Sequence, residues 1–247
     1  MIWRRLLQAI YPQHCPFCGV IIPRAQITCQ TCADSLPYVD ARLCPVCSKR
    51  PCICQEHHFC LDGTAPVFFY TGSVCRAILH FKKHGKRYYA DVFAAYMAKA
   101  VAEKFSGLQF DLLIPVPMHP ADRFLRGYAH MDALAKSLSS RTGIALSNHT
   151  VRKIKRTKKQ QSLSAHERFY NLQQAFQCSK PQRIKGKTIL VCDDVLTTGA
   201  TVNELARLLK QSGAAGVYVV VLATTQHPSY PKRVVSSAGK RGENGQF

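Results

Sequence analysis

Two adjacent acids follow an apolar run in the stretch ILVCDDVLTTGAT (residues 189–201), and hydroxyl and glycine residues follow the acids. Neighbouring carboxylates repel each other and add nothing to a hydrophobic core, so this pattern indicates chemistry. Carboxylates suit sugar hydroxyls or a magnesium ion bridging a sugar and a diphosphate, whereas a glycine turn at a helix N-terminus suits a phosphate. We therefore expect a site for a phosphorylated ribose with a second, metal-bound phosphate group, built from Asp193, Asp194, Thr197, Thr198, Gly199, Ala200 and Thr201.

The structural alternative for this stretch is an aspartate at the N-cap of an ordinary helix. The binding interpretation is favoured because an apolar strand would deliver both acids to its exposed C-terminal end. In open parallel sheets, that edge is where ligands bind. The stretch also differs from a Walker loop, which needs a lysine directly after the glycine.

Nine of the twelve cysteines lie between Cys15 and Cys60, which marks a boundary in composition. The first group consists of two Cys-x2-Cys pairs separated by ten residues: Cys15, Cys18, Cys29 and Cys32. Two such turns bring four thiolates around a tetrahedral Zn²⁺ ion and close its coordination sphere, so a structural zinc ion is expected. Disulfides and an iron–sulfur cluster are the alternatives, and the absence of a secretion signal disfavours disulfides.

A second group begins with another Cys-x2-Cys pair, Cys44 and Cys47. Cys52 and Cys54 are the preferred partners, over pairings that use His57 or Cys60. A Cys-x-Cys pair is tighter than the usual turn, so a degenerate site without metal is the alternative here. The expected metal content is therefore one or two structural zinc ions.

The charge balance is strongly basic, with 34 Lys and Arg against 14 Asp and Glu and a formal net charge of +20. Such a field attracts phosphates, diphosphates or nucleic acid, although a merely soluble basic protein is the plain alternative. The densest basic run is RKIKRTKKQQS (residues 152–162), which has no hydrophobic period. It suits a mobile flap over an active site and equally a track for DNA phosphates. The DNA interpretation is favoured because the positive charge of the run exceeds what is needed to neutralise one diphosphate.

The elements that must position these residues follow from the apolar runs. Continuous apolar runs at 110–118, 188–194 and 217–225 predict strands of a parallel sheet that is buried on both faces. Helices are predicted at 91–105, 131–143 and 200–213, the last ending at a glycine cap. The chain thus divides into a cysteine-rich unit at 1–62, an α/β domain at 63–235, and a polar, glycine-rich tail at 236–247 that we expect to be disordered.

The acid pair followed by Thr-Thr-Gly-Ala-Thr closely resembles the phosphoribosyl-diphosphate (PRPP) signature of type I phosphoribosyltransferases. The resemblance narrows to the ComF family, whose layout is a double zinc ribbon in front of a phosphoribosyltransferase domain. The segments 81–87 (FKKHGKR), 123–138 (RFLRGYAHMDALAKSL) and 157–176 (TKKQQSLSAHERFYNLQQAF) are similar to segments of that family. Ala129 and His130 depart from it, since they stand where Asn and Gln are usual.

This resemblance implies a type I phosphoribosyltransferase fold, with a parallel sheet flanked by helices and a small zinc-ribbon domain at the N-terminus. It assigns PRPP and Mg²⁺ to the acid and hydroxyl residues 193–201. It also supplies basic candidates for binding the diphosphate or forming a flap, which are Lys82, Arg123, Arg126, Lys158 and Lys159.

The function implied is that of a competence or DNA-uptake protein that binds PRPP and handles incoming single-stranded DNA, with DNA-uptake and recombination proteins as partners. The alternative is an active phosphoribosyltransferase that moves phosphoribose from PRPP to an unidentified acceptor. The sequence does not decide whether transfer activity is retained. No stretch reaches the roughly 18 apolar residues of a membrane helix, so we expect no membrane span and a cytoplasmic location.

Overall fold

The computed structural model of the protein describes residues 12–23, 25–40, 42–84, 87–126, 129–155 and 172–226. The predicted tail at 236–247 and most of the basic run lie outside these residues. The elements in chain order are β1 (Gln13–His14), β2 (Ile21–Ile22), α1 (Gln30–Ser35), β3 (Gly63–Phe69), α2 (Gly72–His84), α3 (Arg87–Lys104), β4 (Leu112–Pro115), α4 (Pro120–Arg126), α5 (His130–Thr142), β5 (Val151–Lys153), β6 (Phe176–Cys178), β7 (Thr188–Leu196), α6 (Ala200–Gln211) and β8 (Gly216–Thr224).

The central sheet has four parallel strands in the order β3–β8–β7–β4. The three predicted apolar runs form β4, β7 and β8, because strands covered on both faces need no polar alternation. Strand β7 is longer than predicted, since it pairs with β8 as far as Leu196 opposite Thr224. Outside this sheet, β5 pairs with β6 in an antiparallel ribbon.

Two hydrophobic cores cover the two faces of the sheet. On one face, Phe81 of α2, Phe93 of α3 and Leu134 of α5 belong to a common buried cluster. On the other face, Leu205 and Leu209 of α6 pack with the apolar residues of β7 and β8. The predicted helices therefore form as expected, with α3 beginning earlier and α6 ending two residues before Gly213.

The two cysteine-rich segments pack on opposite faces of the sheet at its edge strand β3. Phe17 of the first segment packs against Phe68, with ring centroids 5.8 Å apart, in the core beneath α3. Val46 and Phe59 of the second segment pack on the opposite core. Tyr38 bridges to Phe68 in antiparallel fashion, and this contact helps to protect an edge that would otherwise expose unpaired backbone groups.

The division into residues 1–62, 63–235 and 236–247 stays a prediction, although β3 begins at Gly63. Across the described ranges, no helix combines the length and apolar character that crossing a membrane requires.

Candidate functional site

The predicted phosphate loop is a short turn between β7 and α6. It comprises Thr197, Thr198 and Gly199, and the helix begins at Ala200. Gly199 forms the N-cap with φ of +83°, in the left-handed region that favours glycine. A Cβ atom added there would lie 2.7 Å from the ring of Phe59, so the position excludes a side chain for two independent reasons.

Beside this turn lies a small depression that opens partly to solvent. Its lining includes Asp193, Thr197, Gly199 and Thr201. The first amides of an α-helix have no partners within the helix, and the helix dipole favours negative charge at this end. The arrangement can therefore hold a phosphate next to a carboxylate that faces the same space.

The two acids lie on opposite faces of the sheet, because successive strand residues alternate in direction. Asp194 is 6% exposed and lies beneath α2 and α5. Nζ of Lys82 lies 2.8 Å from its Oδ1 atom, and Nε2 of His130 lies 3.0 Å from its Oδ2 atom. The expectation that both acids stand at an exposed strand end is thus wrong for Asp194, because β7 continues two residues beyond it.

The two carboxyl groups differ in their electrostatic environment. Burial, and after it the neighbouring Asp194 charge, raises the pKa of Asp193 to about 7. Burial also opposes the charged form of Asp194, but Lys82 and His130 hold the pKa of that carboxyl well below its usual range. Asp194 is therefore the permanent anion of the pair, and Asp193 is the group that titrates near neutrality.

The basic residues predicted to bind the diphosphate do not all lie at this site in the described part of the chain. Lys82 is engaged by Asp194, and Arg123 lies on the exposed side of α4, 3.0 Å from the Asp132 carboxylate. The Arg126 side chain, Lys158 and Lys159 lie outside the described residues, so their predicted role stays a prediction. Lys153 of β5 lies close enough to Asp193 for the two charges to interact, as does Lys82.

Some residues at the site were not predicted to be there. His130 had only one signal in the sequence, which was its departure from the usual Gln of the resembled family. Lys49 and Phe59 had none, because they reach the loop from the cysteine-rich segment across more than 130 positions of sequence. Their contacts depend on how that segment docks on the sheet.

Eight of the twelve cysteines form two four-sulfur clusters, Cys15, Cys18, Cys29 and Cys32, and Cys44, Cys47, Cys52 and Cys54. Within each cluster, the sulfur atoms lie within 4.8 Å of one another. The Cys18–Cys29 sulfur distance is 3.6 Å, and the Cys47–Cys52 distance is 3.8 Å. Thiolates at about 2.3 Å from a tetrahedral Zn²⁺ ion are about 3.8 Å apart, whereas a disulfide brings the sulfurs to about 2.05 Å.

The preference for Cys52 and Cys54 over His57 and Cys60 agrees with this grouping. The backbone amide of Cys60 instead donates to the Asn203 side chain at 2.7 Å, which ties that residue to α6. All twelve cysteines lie in the described part of the chain, and all are free thiols. The donor sets and their geometry support two structural zinc sites.

Comparison with known proteins identifies both parts of the chain. Residues 126–240 match the phosphoribosyl transferase domain family, and residues 6–79 match the double zinc ribbon domain family. The DNA utilization protein YhgH of Salmonella typhimurium is 31% identical over 218 residues, which cover 85% of this chain and 84% of that protein. Competence protein F of Haemophilus influenzae is 30% identical over 199 residues, or 79% and 83% of the two chains.

Among solved structures, adenine phosphoribosyltransferase from Saccharomyces cerevisiae matches 60% of this chain and 82% of that chain at 16% identity. The TM-score of this match is 0.36.

The sheet, the cysteine clusters and the two domain matches define a protein with a double zinc ribbon and a type I phosphoribosyltransferase fold. With relatives that include a competence protein and a DNA utilization protein along most of its length, the chain belongs to the ComF family.

Proposed function

We propose that the chain is a DNA-uptake protein whose phosphoribosyltransferase domain binds PRPP together with Mg²⁺. The observation that carries the proposal is the open depression in which Asp193, the glycine turn and the first residues of α6 meet. A phosphorylated sugar needs this combination, because the phosphate seeks amides and hydroxyls while the hydroxyl groups of the ribose seek a carboxylate.

Each part of the proposed site has a distinct task. The turn at Thr197–Gly199 and the N-terminus of α6 hold the 5′-phosphate. Asp193 accepts hydrogen bonds from the ribose or contributes an oxygen to Mg²⁺, a hard cation that prefers such ligands. The magnesium ion, when bound, neutralises the diphosphate. Asp194 keeps its negative charge on the other face of the sheet and draws Lys82 towards the strand.

This role for Asp193 makes PRPP binding depend on pH. A carboxyl group with a pKa of about 7 is mostly charged at pH 8 and mostly neutral at pH 6. Mg²⁺ and hydroxyl donors bind the charged form, so we expect the affinity for PRPP–Mg²⁺ to fall by up to about tenfold for each pH unit below 7. Isothermal titration of the purified protein between pH 6 and pH 8 measures this slope.

The matched control is Asp193→Asn, which keeps the size of the side chain and removes the titration. This variant should bind weakly at pH 8 and vary with pH only as the ligand's own phosphates do. Equal affinities of wild type and variant at pH 8 would show that PRPP does not use Asp193 and would place the site elsewhere.

Transfer of phosphoribose to an acceptor is the alternative use of the same residues. Displacement of diphosphate from the ribose needs positioning and charge stabilisation rather than a protein nucleophile. Diphosphate released by wild type but not by Asp193→Asn with PRPP alone would assign hydrolase activity, because water is then the only acceptor. Release that requires an added acceptor base would assign transferase activity. PRPP that stays intact both alone and with candidate acceptor bases would favour ligand sensing.

The second part of the proposal is single-stranded DNA as the macromolecular partner. The relatives' names include DNA utilization and competence, and the chain carries a net charge of +20. Phe124 of α4 is 88% exposed next to Arg123, and exposed aromatic rings beside cations stack on bases. The basic run starts in β5 at Arg152 and Lys153. We also propose DNA-uptake and recombination proteins as protein partners. The proposed location is the cytoplasm, because its reducing conditions keep clustered thiols from forming disulfides.

Salt dependence tests the DNA contacts. If the run binds phosphates, replacement of five of its six cations by Ala should reduce the salt slope of single-stranded DNA binding by about 0.7 for each phosphate that is no longer neutralised. The residues to change are Lys153, Lys155, Arg156, Lys158 and Lys159. Fluorescence anisotropy with a labelled oligonucleotide at several salt concentrations gives the slope.

Two lysines on α3, Lys99 and Lys104, provide the control, since their change to Ala removes exposed charge far from the run in sequence. An unchanged slope in the five-residue variant, with reduced retention of PRPP, would assign the run to an active-site flap instead.

A further inference from the structure

A lysine from the second cysteine cluster is buried at the base of the phosphate loop. Lys49 lies between Cys47 and Cys52 and is only 3% exposed. Its Nζ atom donates hydrogen bonds to the backbone oxygens of Leu196, at 3.1 Å, and Thr225, at 2.7 Å. The hydroxyls of Thr224, at 3.0 Å, and Thr225, at 3.2 Å, also lie within hydrogen-bond distance, so two of the four acceptors share one of the three N–H donors.

These acceptors mark the point where the strand gives way to the loop. Leu196 is the last residue of β7, and Thr197 is the first residue of the turn. The Thr225 hydroxyl donates to the Thr197 oxygen at 3.3 Å, and the Thr225 amide donates to the Leu196 oxygen at 3.1 Å. Lys49 thus joins the ends of β7 and β8 at the base of the loop.

The segment after the same cysteine cluster contacts the other end of the loop. The ring of Phe59 packs against Gly199. Asn203, in the first turn of α6, accepts from the Cys60 amide at 2.7 Å and donates to the His58 oxygen at 2.9 Å. The loop is therefore held at both ends by residues that the second cysteine cluster positions.

Burial of an ammonium group is costly unless hydrogen bonds compensate for the lost water. A methionine would fill the same space without that cost, so space filling alone does not account for a lysine. Four protein acceptors around Nζ offset the cost, and all four belong to the two strand ends that frame the loop.

We propose that Lys49 is a positioning residue for the phosphate loop, and that the second zinc site controls phosphate binding through it. The proposal rests on PRPP binding as the function of the loop. Loss of the second zinc ion would displace Lys49 and Phe59 together. The loop would then lose its fixed geometry while the sheet stayed folded.

The direct test is Lys49→Met, with Lys187→Met as a matched control that removes an exposed lysine paired to Asp111. We expect Lys49→Met to weaken PRPP–Mg²⁺ binding on the order of 10- to 100-fold, because a small displacement of a binding element has effects of this size. Zinc content should not change, and amide hydrogen exchange at 197–203 should become faster. Binding within twofold of wild type, with unchanged exchange, would overturn the proposal.

A second variant, Thr225→Val, covers the case in which Lys49→Met fails to fold. It removes the hydroxyl that links Lys49 to Thr197 while leaving the lysine in place, and faster exchange at 197–203 is again expected. If wild-type protein binds no PRPP, the proposed function fails, and hydrogen exchange alone decides the role of Lys49.

The link to the second zinc site is tested by replacing two exposed cysteines, Cys52 and Cys18, that belong to different clusters. Cys52→Ser and Cys18→Ser should each release one zinc ion. Only Cys52→Ser should accelerate exchange at 197–203 and weaken PRPP binding, since the first cluster packs on the opposite face of the sheet. Equal effects of the two variants would refute a link that runs through the second zinc site.

Discussion

Removal of both zinc ions is expected to unfold the two cysteine-rich segments and to expose the edge of the sheet that they clasp. Short elements such as β1, β2 and α1 cannot bury enough apolar surface to be stable alone, so the metal supplies their folding free energy. In small zinc-binding units, this contribution is on the order of 10 kcal/mol. Chelator titration followed by a zinc-sensitive dye and near-ultraviolet circular dichroism measures release and unfolding together.

A single ligand change separates the two ions. Purified protein should contain two zinc ions per chain, and Cys15→Ser should contain one and lose the packing of Phe17 on Phe68. Cys178→Ser is the control, because Cys178 lies in β6 outside both clusters and its loss should leave the zinc content at two. A metal-free protein with the same spectrum and stability would disprove the structural role of zinc.

Local patterns in the sequence were sufficient for much of the fold. The runs that form β4, β7 and β8 are continuous and apolar. Burial on both faces requires this pattern, so it predicts these strands even when the elements that pack on them are not known. The cysteine spacing was equally informative, since two turns of fixed length leave few ways to arrange four sulfurs. The helix after the phosphate loop followed from its leucine spacing and from Gly213.

The pairing of charged groups could not be predicted in the same way. Asp193 and Asp194 have the same chemistry and adjacent positions, yet one titrates near neutrality and the other is a buried anion. The difference arises from Lys82 and His130, which lie on α2 and α5 and meet the strand only in the folded chain. Lys49 likewise reaches Leu196 from a distant part of the sequence. Such contacts depend on packing, which a single sequence does not encode in local patterns.

The buried position of Asp194 has a large expected effect on stability. Asp194→Ala would leave the His130 ring and the partly buried Lys82 ammonium without their anion. Breaking a buried charge pair by removal of one partner costs about 3–5 kcal/mol, because the remaining charge stays desolvated. We therefore expect the free energy of unfolding to fall by about that amount at pH 7, as measured by urea denaturation.

Asp193→Asn, one residue away, is the matched control. We expect it not to lower the free energy of unfolding, in contrast to Asp194→Ala. Because folding raises the pKa of Asp193 from 3.8 to about 7, the stability that this group provides is complete below pH 3.8 and is lost as the pH rises through about 7. The neutral amide avoids that loss, so at pH 8 the variant should be at least as stable as wild type, and its advantage should shrink as the pH falls towards 4. If both variants lost the same stability at pH 8, the two carboxyl groups would be equivalent, and Asp194 would not be the fixed anion that holds Lys82 and His130 against β7.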